Sequence, residues 1–264
     1  MARFVGPFKF VGTVAGFESH WDADLQDYVL SSSKQKNPNH NKHAPRSQEL
    51  NEEWKAVCMW SRKIRIQTYQ IANLKKGRLA GSLNAIAKKI QEMDVINEHG
   101  KRQIESSKFN YPLISFCFNT SHPFSKVFHV APELSINEDR NEVTLKMSEF
   151  ISNYKFNWTE TVRYYRVILT IFELPDLTWD TKRGEWDIFF RISRSLTSTT
   201  VSEWLPVITE PIDFEQKATF KDGLLPGEKS AVVVVMGLEL ASGMDWGSPY
   251  IVKDNGTAAV VGVF

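Results

Sequence analysis

The six histidines, two cysteines and scattered carboxylates of this 264-residue chain could in principle serve nucleophilic, acid–base or metal chemistry, but their spacing supports none of the three. No serine sits in a Gly-x-Ser-x-Gly elbow. His20, His99, His122 and His129 each have a local polar neighbour, yet no repeated spacing ties any of them to a nucleophile. His40 and His43 lie three apart on a stretch without a helix to fix their faces, so a solvated loop is expected there rather than a metal pair. Asp22, Asp24 and Asp27 are close in sequence but lack the central glycine and distal glutamate of a calcium loop. Gly77-Arg78-Leu79-Ala80-Gly81 lacks the length and the Lys-Ser/Thr ending of a phosphate loop. Cys58 and Cys117 sit in apolar surroundings with no metal spacing and read as core thiols of a reducing compartment. The expectation is therefore a protein without catalytic residues, metal or cofactor.

Binding chemistry is better represented. The net charge is only +1, but residues 34–110 hold 16 Lys or Arg against 7 Asp or Glu, whereas residues 111–264 hold 14 against 20. Such a dipole suits head-to-tail contact with a second copy or an acidic partner. The cations that would form the partner-facing surface are Arg62, Lys63, Arg65, Lys75, Lys76, Lys88, Lys89, Lys101 and Arg102. With Arg78 they could also neutralise phosphates, but interspersed acids and an acidic second half argue against nucleic acid. A second binding idea rests on two tryptophans. A hairpin centred on Thr181-Lys182-Arg183-Gly184 sets Trp179 opposite Trp186, a pair that either stacks on a sugar ring or only stabilises the hairpin, and the latter is the expectation.

The elements that would carry these residues follow from periodicity. Phe8-Lys9-Phe10-Val11 reads as a short strand and Tyr28-Val29-Leu30 as its return, with a polar turn over Trp21–Asp27. Residues 31–46 are almost without apolar side chains and read as an exposed linker. From Ser47, a candidate N-cap, Leu50, Trp54, Val57, Ile64 and Ile71 recur three or four apart, with Ser61 and Thr68 filling the seam, and Gly77 can end that helix. Leu79, Leu83, Ile86, Ile90 and Met93 form a second stripe, so an antiparallel helical pair over residues 47–102 is expected.

After Tyr111-Pro112 the pattern becomes β. Runs at 113–118, 143–147, 164–172, 186–192, 205–208, 212–220, 231–240, 250–253 and 258–264 alternate or are wholly apolar, as do Tyr154, Phe156 and Trp158, and Asn255-Gly256 is the strongest hairpin signal. The fold class expected is α+β: mainly an antiparallel β-sandwich of immunoglobulin or fibronectin type (111–264), preceded by an N-terminal β segment, the linker and the basic helical pair (1–110). No signal peptide and no membrane span are visible, which suggests a soluble protein of the cytoplasm or of an assembled particle.

Phe10-Val11-Gly12-Thr13, the polar linker, Leu83 to Met93 with Asp94, Gly100-Lys101-Arg102 and Phe116-Cys117-Phe118-Asn119 together resemble uncharacterised proteins of Bacteroidota genomes. That resemblance, which spans mainly residues 8–119, implies a helical N-terminal part followed by an immunoglobulin-like part, and it implies no activity. The function expected is a non-enzymatic structural or assembly protein working through contacts with itself or another protein. Carbohydrate is the alternative partner, and nucleic acid the weaker one.

Overall fold

The computed structural model describes residues 2–3, 11–14, 17–22, 27–32, 44–152, 162–187, 196–246 and 248–264 of a chain that divides into two compact units, Met1–Gln48 and Glu49–Phe264. The expected strand over Phe8–Val11, the side chains of His40 and His43, Asp24, and the alternation of Tyr154, Phe156 and Trp158 lie wholly or largely outside the described residues.

The first unit holds four antiparallel strands, β1 (Ala2–Arg3), β2 (Gly12–Val14), β3 (Phe17–Asp22) and β4 (Asp27–Ser32), in the order β1-β4-β3-β2. Strands β3 and β4 pair as far as Asp22↔Asp27, and the polar turn expected over Trp21–Asp27 lies largely outside the described residues. Trp21 faces Tyr28 across the strands with ring centroids 5.1 Å apart, edge to face.

In the second unit the helical segment forms α1 (Pro45–Gln67, its first turns shared with the unit boundary), a 3₁₀ stretch over Tyr69–Leu74, and α2 (Leu79–Glu92). The helix begins at Pro45, two residues before the expected cap at Ser47, because proline's fixed φ suits a first turn whose amide has no partner to lose. The buried face of α1 is Glu53, Ala56, Val57, Trp60, Ile64 and Gln67. Leu50 and Trp54, assigned to that face by spacing, are instead exposed. Two polar bonds fix the rotation: the Trp60 indole N–H donates to Ser106 Oγ at 2.8 Å, and Glu53 turns inward to an ionic partner set. Lys88 and Gln91, late in α2, bond to Glu53, early in α1, so the two helices run antiparallel as expected.

A short helix, α3 (Phe124–Val127), leads into the strands β5 (Glu133–Ile136), β6 (Glu142–Phe150), β7 (Tyr164–Pro175), β8 (Trp179–Asp180), β9 (Glu185–Trp186), β10 (Thr197–Val201), β11 (Leu205–Pro206), β12 (Ile212–Thr219), β13 (Ser230–Asp245) and β14 (Ser248–Val263). One antiparallel sheet has the order β10-β7-β13-β14, with β11 also on β7, and a second has the order β12-β6-β5. The protein is thus α+β with mostly antiparallel sheets.

The central sheet is covered on both faces. Ile168, Phe172, Val233, Val235 and Val260 join Trp60, Ile64, Leu83 and Ile90 of the helices in one apolar cluster. Their sheet neighbours Val167, Leu169, Val232, Val234 and Ala259 join Val143, Leu145 and Ala218 of the second sheet in another. This explains why β13 reads as an unbroken apolar run rather than an alternating one: neither face meets water. It also means that the division expected at residues 110 and 111 does not separate compact units, since helices and sheet share a core.

Two local expectations are corrected. Residues 113–118 do not form a regular strand. Tyr111–Leu113 is a 3₁₀ turn, Ser115 has φ +67°, and the segment meets the edge of β14 through the isolated bridge Cys117↔Ala259 and a backbone bond from Ser115 to Val260 rather than through a ladder. Asn255-Gly256 does not turn a hairpin. Both flanking runs belong to β14, because β13 is long enough to pair with each, and the hairpin turns instead between Asp245 and Ser248. Between the pairs Ala241↔Ile251 and Glu239↔Gly256, β14 advances five residues while β13 advances two, which is a bulge. Gly256 sits there at φ +153°, and a Cβ on it would lie 1.8 Å from the Leu238 carbonyl oxygen. Gly256→Ala is expected to destabilise the fold by more than about 1 kcal/mol in chemical denaturation, and a variant of unchanged midpoint would contradict this geometry.

Candidate functional site

The nine cations of the expected partner-facing surface do not form one face. Arg102 gives Glu53 two bonds, Nε and Nη2 each at 2.7 Å from a carboxylate oxygen, and Lys88 adds a third at 2.6 Å. Both are therefore committed to holding α1, α2 and the segment after α2 together. Lys63 is buried, and burial pushes its ammonium below the usual lysine range. Lys101 pairs with Glu98 at 3.2 Å. Lys75 donates to Thr68 Oγ1 at 2.7 Å and lies over the Phe118 ring, and burial, aided by repulsion from Arg65, brings its pKa down to about 8. Titration of ¹³C-methylated lysines followed by NMR should therefore show one lysine losing its proton near pH 8. A set of lysines all titrating near 10 would contradict that placement.

Arg62, Arg65, Lys76 and Lys89 are exposed, as is Lys101. Arg62 and Arg65 stand on the outer side of α1, and just beyond them Ile66 and Tyr69 are also exposed, Tyr69 to 74%. Residues three and four apart share a helical face, so this is a cationic patch with an apolar centre.

The tryptophan hairpin has the foreseen register, Trp179↔Trp186, with rings 5.2 Å apart and edge to face. It is not a stacking platform. Trp186 is 5% exposed, belongs to the helix–sheet core, and donates its indole N–H to the Glu52 carbonyl at 3.0 Å. The pair serves packing: Trp186 lies inside the core and cannot lie against a ligand, and Trp179 is half-buried with its ring packed edge to face on Trp186.

Among the described residues Trp246 is the most exposed of the large apolar side chains. The register Asp245↔Ser248 leaves two residues to reverse the chain, and Trp246 is one of them, at φ +47° and 99% exposed. Hairpin turns of this length favour Asn, Asp or Gly where φ is positive, and a bulky side chain there is strained. Trp246 thus costs the turn stability and gains nothing by burial. Tyr250 and Ile251, also exposed, stand just behind it.

The pairings Val201↔Ile168, Pro206↔Tyr164 and Ala241↔Tyr164 bring the ends of β10, β11 and β13 to the same end of the sheet, and Ser152 bonds to Ile208 there. Exposed carboxylates of this end are Glu203, Glu210, Asp213 and Asp245, alongside Arg163. Trp204 is fixed at its side by Arg166, whose guanidinium lies 4.8 Å from the ring centroid and is itself paired with buried Glu239. The exposed indole thus stands beside Asp245 at an end of the sheet where exposed carboxylates outnumber cations, and the exposed phenol stands on the side of Arg62 and Arg65. Sequence periodicity missed Trp246 because it marks buried faces. The available signal was a tryptophan beside Gly247 between two apolar runs.

Among the described residues no group of three or more His, Cys, Asp or Glu is placed to hold a metal ion, and no helix is long and apolar enough to cross a membrane. Comparison with known proteins finds no family model, no curated protein and no solved structure that matches the chain.

Proposed function

We propose that this chain is a non-catalytic assembly protein whose copies associate head to tail, the Trp246 end of one docking on the Arg62–Tyr69 face of the next. The observation that carries the reading is Trp246 itself, fully exposed and held in a backbone conformation that a tryptophan adopts only at a cost. Charge complementarity supports a second copy as the occupant: Asp245 beside Trp246 and the other exposed carboxylates of that end of the sheet are opposite in sign to Arg62 and Arg65 near Tyr69. The two surfaces differ, so the contact is heterologous and generates rings or open filaments.

The scaffold for this contact is an immunoglobulin- or fibronectin-like sandwich. Its support is the strand order: β5, β6 and β12 correspond to the A, B and E strands of one sheet, and β7, β10, β13 and β14 to C, C′, F and G of the other. In that frame Trp246 occupies the F–G turn, at the end where such folds carry their recognition loops. Buried ionisable groups do not compete with this reading, for Glu53, Asp94 and Asp176 are each engaged in bonds that hold loops and helices.

Size-exclusion chromatography with light scattering tests the proposal. At low salt the mass should exceed the 30.3 kDa of one chain and fall towards it as salt rises. Arg65→Glu should lower the low-salt mass without changing the melting temperature. A monodisperse 30.3 kDa species at high concentration and at every salt would end the proposal.

A further inference from the structure

A cavity of about 430 Å³ lies against the outer edge of β14, roofed by α3 and by the segment that leads from it to β5. It has no part in the contact proposed above, and its size falls within the range of small-molecule sites. Its floor is apolar: Phe124, Phe128, Ala259 and Val260 are all buried. The polar atoms of that floor are already satisfied. The Cys117 thiol donates to the Asn119 carbonyl and accepts from the Phe124 N–H, each at 3.2 Å, while Val260 exchanges backbone bonds with Ser115 and Phe116. Water would find few partners on such a floor, so an apolar group is the better occupant.

The mouth is different. Ser115, Ser125 and His129 line it, all exposed, and among the described residues their side chains have no hydrogen-bond partner. Ser115 is held there at φ +67°, a conformation uncommon for serine. The lining contains no Asp or Glu, so an anionic head group meets no repulsion from the cavity's own side chains. An apolar floor with its polar atoms used, beneath a mouth of free hydroxyls and an imidazole, matches a molecule with a long apolar tail and a small hydrogen-bonding anionic head.

We propose that this cavity binds a medium-chain fatty acid, tail against Phe124, Phe128 and Ala259, carboxylate at Ser115, Ser125 and His129. Cys117 in the wall provides a reporter, and Cys58, outside the cavity, an internal control. The probe is laurate below its micellar concentration, added to the full chain. Alkylation by N-ethylmaleimide, resolved by peptide mass spectrometry, should slow about tenfold at Cys117 at a laurate concentration of about ten Kd and stay unchanged at Cys58. Calorimetry should give one laurate per chain. Ala131→Trp, which fills the mouth from an exposed position, should abolish that heat while the thermal melt shows a folded protein. No protection of Cys117, equal slowing at both thiols, or full laurate binding by a folded Ala131→Trp protein would each overturn the proposal.

Discussion

Glu53→Ala is expected to cost the fold about 3–5 kcal/mol, because it removes the shared partner of two cations and leaves them and a backbone amide without their acceptor. The Glu53 side chain is 2% exposed, and its two oxygens accept from Arg102, Lys88 and the Gly100 N–H. Arg102 is itself mostly buried, so water cannot fully replace the lost carboxylate. Urea denaturation measures the loss. A cost below about 1 kcal/mol would show that the site relaxes around the vacancy and that the network does not hold the helices. In a cycle with Arg102→Ala, the double variant should lose less than the sum of the two single losses, since each single change already breaks the bidentate pair.

The same carboxylate sets a pH dependence of definite sign. Burial alone would raise its pKa, but the bonds from Arg102, Lys88 and Gly100 outweigh burial and hold it at about 2, against 4.5 for an unhindered glutamate. A depressed folded-state pKa means that the unfolded chain binds the proton first. The stabilisation, about 3 kcal/mol for a shift of this size, is therefore complete above about pH 4.5 and is lost as pH falls towards 2. Over that window wild type should lose more stability than Glu53→Ala, and parallel acid titrations would contradict the assignment.

Trp246→Asn is expected to abolish self-association while leaving the fold as stable as wild type or more so. Asparagine adopts positive φ readily in a two-residue hairpin turn, whereas tryptophan does not, and the exposed indole contributes no burial that its loss could forfeit. The gain is on the order of 1 kcal/mol, read as a higher denaturation midpoint. Loss of assembly and loss of stability are thus expected to move in opposite directions, which separates a docking residue from a structural one. The heterologous geometry adds a sharper outcome. Trp246→Asn keeps the basic face and Arg65→Glu keeps the indole end, so an equimolar mixture should form one-to-one pairs and grow no further. A mixture that stays monomeric would remove the head-to-tail arrangement, and an undiminished mass for Trp246→Asn alone would remove Trp246 from the contact.

Much of the second unit was legible in the sequence. The stripe through Leu83 and Ile90, the alternation over 143–147, and the apolar runs at 164–172 and 231–240 each report a burial pattern that the structure repeats, because each is set by neighbours within a few residues. The errors have a common source. Leu50 and Trp54 read as buried because hydrophobicity stands in for burial, whereas a charged residue such as Glu53 enters a core only when distant partners such as Arg102 and Gly100 meet it there. Asn255-Gly256 reads as a turn because a local signal for positive φ does not distinguish a turn from a bulge; the length of β13 decides between them.

The sequence by itself determined the kinds of element, their division into a helical segment and a β-rich remainder, the segregation of charge between the two, and the register of the Trp179–Trp186 hairpin. All of these depend on residue type and short spacing. Only the tertiary structure decided which cations are exposed and which are committed to Glu53, that Trp186 is buried while Trp246 is bare, and that one sheet is covered on both faces. Those outcomes depend on which distant segments meet, and a side chain's exposure is a property of that meeting rather than of the residue.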